Sequence, residues 1–163
     1  MKYSTVYSSP LGMLTLTASE EGLTGLYLRE PSASERALAD HCRHLEEAIQ
    51  WLNRYFDGLS PDPGELTLMP EGSDFQKLIW ALLVQIPSGQ TRTYGFLARE
   101  AARRMGKEKM SAQAVGGAVG RNPISIIVPC HRCVAAGGKL GGFGWGETAK
   151  KWLLRHEGGN YDD

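Results

Sequence analysis

One stretch of this 163-residue chain gathers the side chains that can do chemistry: Ile126-Ile127-Val128-Pro129-Cys130-His131-Arg132-Cys133. An apolar run delivers a thiol, an imidazole and a guanidinium to one point. A thiol is a nucleophile only as its thiolate, and an adjacent His or Arg lowers its pKa. Three chemistries compete for these residues. A buried structural cysteine is the commonest fate of a free thiol, but Pro-Cys-His-Arg is a poor sequence for a core. Cys130-x-x-Cys133 also has the spacing of a thioredoxin-like redox pair, which belongs after the first strand of a βαβ unit; this pair lies late in the chain. Zinc would want a second pair of ligands. Only His41, Cys42 and His44 could offer one, and Cys42 falls on the apolar stripe of a helix. Nucleophile, redox pair and structural thiol all remain open on the residues alone.

Composition narrows the setting. No run reaches the roughly 18 apolar residues of a membrane span, and Met1 to Tyr7 lacks the basic and apolar regions of a signal peptide. Three cysteines, an odd number, argue against a disulfide framework and for reduced thiols. The expected location is therefore the cytoplasm, with the nucleoid as its site in a bacterium. Net charge is zero, yet residues 1–73 hold 5 Lys and Arg against 11 Asp and Glu, whereas residues 74–163 hold 13 against 7. A basic half on a neutral chain suits a face that meets polyanions.

The elements that must position Cys130 read as two parts. Tyr3–Tyr7, Met13–Ala18 and Leu23–Leu28 are expected to be antiparallel strands, with turns at Ser9-Pro10-Leu11-Gly12 and Glu20-Glu21-Gly22. A single helix is expected from about Ser34 to Phe56, because Leu38, Cys42, Leu45, Ile49, Leu52 and Phe56 recur every three or four residues. Pro61-Asp62-Pro63-Gly64 opens a linker to about Gly72, where the charge sign changes. This gives a sheet-and-helix domain over 1–72 and a second domain over 73–163. In the second, Ser73 and Gln76 form a capping-box pattern before Phe75, Leu78, Ile79, Leu82 and Leu83. Thr93 and Ser111 are N-cap candidates for short helices over Tyr94–Arg103 and Ala112–Val119, joined by the basic turn Arg104–Lys109. Two such helices are a helix-turn-helix candidate. Ile124–Val128 reads as a buried strand ending at Pro129, and Glu147–His156 as a last amphipathic helix. The fold class is α/β (α+β).

The stretch from Asn122-Pro123-Ile124 through Pro129-Cys130-His131-Arg132 resembles the active-site signature of the O6-alkylguanine-DNA alkyltransferases. Tyr94, Ala114-Val115-Gly116-Gly117, Trp152-Leu153-Leu154 and His156-Glu157-Gly158 follow in the family's order, and the likeness is detailed over Phe75 to Gly158. The resemblance implies stoichiometric DNA repair, in which an alkyl group moves from O6 of guanine to Cys130 and the protein is used once. It leaves room for O4-alkylthymine as a second substrate. His131 would deprotonate Cys130 through a bridging water, Glu157 would orient the imidazole, and Asn122 would brace the turn presenting the thiol. The implied DNA-facing set is Tyr94, Gly95, Ser111, Ala112, Gln113, Gly116 and Arg132, with Tyr94 helping to rotate the nucleotide out, since chemistry on a paired base requires extrusion. Tyr94, Cys133, Phe143, Gly144 and Trp145 would line the pocket for the base. By the same resemblance, the small residues Ala112, Gly116 and Gly117 would let the second helix approach the minor groove. The implied partner is double-stranded DNA bearing O6-alkylguanine, bound by a monomer, with no cofactor, no metal and no membrane.

Three departures stand out. Gln113 occupies the position where the family usually carries an intercalating Arg. The turn between the two helices is longer than in the short members and holds the basic residues, and Trp145 stands where many members have a small residue. Related recognition proteins that bind alkylated DNA without transfer lack the acceptor cysteine; Cys130 sets this chain apart from them.

Overall fold

The computed structural model describes residues 1–159 and divides them into two compact units. The first holds Met1–Glu71 together with Pro123–Ser125, and the second holds Gly72–Asn122 and the chain from Ile126 onward.

In the first unit, β1 (Lys2–Ser9), β2 (Gly12–Ser19) and β3 (Leu23–Leu28) form an antiparallel sheet in that order. Leu14, Leu16 and Ala18 alternate along β2 and are buried, the period expected of a strand with one face on a core. The expected single helix over 34–56 is two: α1 (Ala33–Arg36) and α2 (Arg43–Phe56). A long-range pairing breaks it, because Ser4 N–H donates to the Ala39 carbonyl at 3.0 Å and draws 37–42 alongside β1. Leu38 and Cys42 keep helical spacing without being in a helix. The buried face of α2 is Leu45, Ala48, Trp51, Leu52 and Tyr55. After it, Trp51 Nε1–H donates to the Asp62 carbonyl at 3.0 Å, and Thr67 and Met69 exchange backbone hydrogen bonds with Leu23.

The second unit is built on α3 (Asp74–Val84), α4 (Tyr94–Met105) and α5 (Ala112–Gly120), which pack on one another. Ser73 and Gln76 make both hydrogen bonds of the capping box, Thr93 Oγ1 caps α4 by accepting from Phe96 N–H, and Ser111 Oγ caps α5 by accepting from Ala114 N–H. Gly106 ends α4 at φ 67°, a left-handed conformation that favours glycine. Two very short strands, β4 (Arg92–Thr93) and β5 (Cys133–Val134), pair in parallel, and α6 (Glu147–His156) closes the described chain. Among the described residues no helix is long and apolar enough to cross a membrane.

The expected strand over 124–128 does not form. Ile124 makes one parallel bridge to Leu26 within the first unit; turns then follow, and Ile126 adopts φ 74°. A β-branched side chain in that region is strained by roughly 1–2 kcal/mol, and complete burial of Ile126 holds it there.

Candidate active site

The turn after α5 is the base of the site. Asn122 Nδ2–H donates to the Val128 carbonyl at 2.8 Å, closing the loop that leads to Pro129. A 3₁₀ turn over Cys130–Arg132 follows, and β5 then fixes Cys133 against Arg92 of β4. Cys130, His131, Arg132 and Cys133 are all buried, with His131 fully so.

His131 Nε2 lies 2.6 Å from Glu157 Oε2 at the C-terminal end of α6. Arg132 grips the same carboxylate with Nε at 2.8 Å from Oε1 and Nη2 at 3.0 Å from Oε2, while Nη1 donates to the Ile86 carbonyl at 2.7 Å. Burial alone would raise the Glu157 pKa, but the hydrogen bonds and charges of His131 and Arg132 outweigh it and hold the carboxyl well below the usual range. Burial pulls the His131 imidazole below its ordinary value, against the opposing pull of Glu157. A neutral imidazole beside a carboxylate must donate from Nε2, so Nδ1 carries the lone pair. Nδ1 is buried and has no hydrogen-bond partner within the described chain.

Arg132, assigned above to the DNA-facing set, is corrected by this geometry. Only 6 % of its surface is exposed, and its donors are committed to Glu157 and Ile86. It keeps the acid ionised rather than meeting phosphate.

Tyr94 opens α4 and is half-buried, its ring between α5 and the glycine loop: a Cβ built on Gly141 would lie 3.1 Å from the ring, and one on Gly116 would lie 3.9 Å away. Gly141 has φ 78°, so both its conformation and its neighbour require glycine. Burial, with added effects from Cys133 and Cys130, pushes the Tyr94 phenol up to about 12, so it stays protonated and can donate. Phe143 meets His131 edge-on at 6.4 Å between ring centres, and Trp145 lies 5.9 Å from Phe143. Trp145 is therefore part of an aromatic wall reaching the imidazole. Gly144 faces open space.

On the outer side of α5, Ala112, Gln113 and Gly117 are exposed and Gly116 is half-exposed. A Cβ on Gly117 would touch nothing within 4 Å. Ser111 is exposed with its oxygen engaged in the cap, and Gly95 is half-exposed at the start of α4.

Sequence reasoning missed Lys150. It is fully buried, and Nζ donates to the Cys133 carbonyl at 2.7 Å and the Gly142 carbonyl at 3.0 Å, tying the glycine loop to the 3₁₀ turn's exit. Burial pulls its pKa down, and Cys133 and Cys130 pull it back. The available signal was a lysine on the apolar face of α6, in line with Leu153 and Leu154. Burial pushes the Cys133 thiol up to about 12, which marks it as the inert member of the Cys130–Cys133 pair. Among the described residues no three His, Cys, Asp or Glu side chains converge for a metal.

Comparison with known proteins gives the same family across both units. Residues 2–69 match the ribonuclease-like domain, and residues 74–159 the DNA-binding domain, of 6-O-methylguanine DNA methyltransferase. The methylated-DNA–protein-cysteine methyltransferase of Methanosarcina acetivorans is 40% identical over 161 residues, covering 96% of this chain and 98% of that protein. The protein of that name from Mycobacterium tuberculosis is 42% identical over 158 residues, covering 95% and 91%. The crystal structure of the M. tuberculosis O6-methylguanine methyltransferase superposes with a TM-score of 0.79 at 39% identity, over 96% of this chain and 93% of that one. An M. tuberculosis OGT in complex with DNA also gives 0.79, at 39% identity over 95% and 92%. This chain belongs to the methylated-DNA–protein-cysteine methyltransferase family.

Proposed function

We propose that this protein repairs DNA by moving an alkyl group from O6 of guanine to the sulfur of Cys130, once per molecule and as a monomer. The observation that carries this reading is the unpartnered Nδ1 of His131, a buried neutral base one residue from a buried thiol. The imidazole takes the Cys130 proton, through a bridging water, as Glu157, kept ionised by Arg132, stabilises the resulting cation. The thiolate attacks the alkyl carbon, the carbon–O6 bond breaks, and its electron pair leaves with guanine, which is then protonated. The thioether has no easy route back to a thiol.

Duplex DNA is bound through the minor groove, with the smooth outer side of α5 approaching it. Minor-groove edges are degenerate, which suits a protein that must find damage in any sequence. Tyr94, Phe143, Gly144 and Trp145 receive the extruded base. Three free cysteines suit a reducing, cytoplasmic compartment.

The test is to incubate the protein with a duplex bearing O6-methylguanine, weigh it intact and map the label. A single added methyl on Cys130, abolished in Cys130→Ala with binding to the damaged duplex retained, is the expected result. A label on Cys42 or Cys133, or an unchanged mass with intact binding, overturns it.

A further inference from the structure

We infer that a cleft between the second half of α4 and the Gly106–Ser111 turn is a second contact for the DNA backbone, outside the lesion site. The inference rests on the reading above that duplex DNA meets α5 and the start of α4. The cleft encloses about 460 Å³, and Arg99, Arg103, Lys107 and Lys109 line it against a single acid, Glu108. Arg103 is paired with Glu100 at 2.8 Å. Arg99, Lys107 and Lys109 make no side-chain hydrogen bond or ion pair among the described residues. That is unlike the first unit, where Arg29, Arg36, Arg43 and Arg54 each lie against a carboxylate. Three unmatched cations around one concavity repel one another, an arrangement that a polyanion relieves.

The turn is held in place for this. Lys107 N–H donates to the Ala102 carbonyl at 2.8 Å, and Gly106 supplies the left-handed residue that reverses the chain. Arg99 connects the cleft to the lesion side, since Nη1 lies 3.5 Å from where a Gly95 Cβ would be. The ligand is a phosphodiester rather than a base or a small phosphorylated metabolite. Arg99, Lys107 and Lys109 are exposed charges on flexible stems, and beside them and the charged Arg103 and Glu108 the cleft is lined only by Ala102 and Met110. Such a site neutralises charge without reading sequence. The longer turn between α4 and α5 thereby enlarges the footprint on DNA.

The experiment uses the full chain with undamaged duplex DNA, comparing the native protein with Arg99→Gln/Lys107→Gln/Lys109→Gln. Affinity is measured across a salt series, with transfer from free O6-methylguanine base as the check on folding. Each phosphate contact contributes roughly 0.9 to the slope of log affinity against log salt, so the slope should fall by about 2–3 and affinity at moderate salt by at least about tenfold. Lys107→Arg/Lys109→Arg should keep the native slope, and Arg36→Gln/Arg43→Gln, in the first unit, should leave it unchanged. An unchanged slope in the triple variant overturns the inference, as does an equal fall in the first-unit control, which would reflect net charge alone. If the triple variant loses free-base transfer, Lys107→Gln alone decides by a fall of about 0.9. A native protein that binds duplex with the predicted slope changes but never accepts a methyl would sink the proposed function and leave the cleft standing.

Discussion

In the first unit, Arg29, Arg36, Arg43 and Arg54 sit at the surface against Glu35, Glu30, Glu47 and Glu65. Its interior there is made of Leu14, Leu16, Leu26, Leu45 and Trp51. In the second unit the order reverses at one place: His131, Arg132, Glu157 and Lys150 are inside, while Arg99, Lys107 and Lys109 stand exposed. Exposed pairs contribute about 0–1 kcal/mol each, so the first unit's charges tune solubility more than structure. Buried charges are tolerated only with near-complete pairing. The difference teaches where selection has accepted an energetic burden, and it is the unit holding the thiol.

Removing one acid from each region gives the sharpest contrast. Glu157→Gln leaves the Arg132 guanidinium buried with half its counterpart, and loss of one buried partner typically costs about 3–5 kcal/mol. Glu35→Gln should cost no more than about 1 kcal/mol and fade as salt rises, because Arg29 is 44% exposed. Thermal melts of both variants at low and high salt check this; equal losses would erase the comparison. Transfer by Glu157→Gln should be slower but measurable, since the amide can still accept from Nε2. The pH dependence separates the same groups. His131 has a lowered pKa, so the unfolded chain takes up a proton that the folded chain resists, and stability falls as pH drops below about 6.5. Glu157 and Glu35 also have lowered values; their stabilisation is present above the ordinary carboxylate range of about 4.3 and is lost below it. The decline between about pH 6.5 and 4.5 should therefore vanish in His131→Asn alone.

What could be read from the sequence was local. The caps at Ser73, Thr93 and Ser111 announce α3, α4 and α5 because each side chain satisfies the backbone N–H three residues on. The three strands and α6 follow from their own periodicity. The misreadings share a cause in side-chain and backbone partners that hydrophobic spacing does not reveal. Residues 37–42 are drawn out of a helix by Tyr3 and Ser4. The run at 124–128 is apolar like a strand, yet the Leu26 bridge on one side and the Asn122–Val128 bond on the other fold it into turns. Spacing placed Arg132 beside the thiol but could not say that its guanidinium turns to Glu157 and Ile86.

The aromatic wall offers a test of specificity. Trp145 stands against Phe143, which meets His131, so in the pocket proposed above the indole would take space that a bulky adduct needs. Trp145→Gly should speed transfer from O6-benzylguanine by on the order of tenfold to a hundredfold and change the O6-methyl rate little. Single-turnover rates for both adducts decide it; parallel changes would remove Trp145 from the pocket.

Gln113 tests the exposed side of α5. It lies in the helix's first turn, exposed, two residues after the Ser111 cap. A charge-assisted hydrogen bond contributes roughly 1.5–3 kcal/mol against about 1 for a neutral one. Gln113→Arg should therefore tighten DNA binding by about tenfold, or about 1–2 kcal/mol. The same cation opposes the helix dipole and should lower stability by about 0.3–1 kcal/mol. Affinity measured beside melting temperature checks both signs, and weaker binding by the Arg variant would show that the longer turn has moved this position off the DNA.

The smallest expected effect is also the most direct probe of why α5 is built as it is. This nine-residue helix contains Gly116, Gly117 and Gly120, and each glycine in a helix interior costs about 0.5–1 kcal/mol relative to alanine. Nothing in the second unit requires the missing side chain at Gly117, since a Cβ there meets no atom within 4 Å. Gly117→Ala should accordingly stabilise the protein by about 0.5–1 kcal/mol, raising its melting temperature by roughly 1–4 °C. A methyl group on this exposed side would hold α5 off the groove, so DNA affinity should fall several-fold while transfer from free base is kept. Opposite signs for stability and binding would mean that the glycine is retained for the partner. A stabilised variant that binds DNA as tightly as the native protein would show that the outer side of α5 makes no close approach. The small residues would then need an explanation inside the helix packing, where Gly116, at 3.9 Å from the Tyr94 ring, is the position to examine.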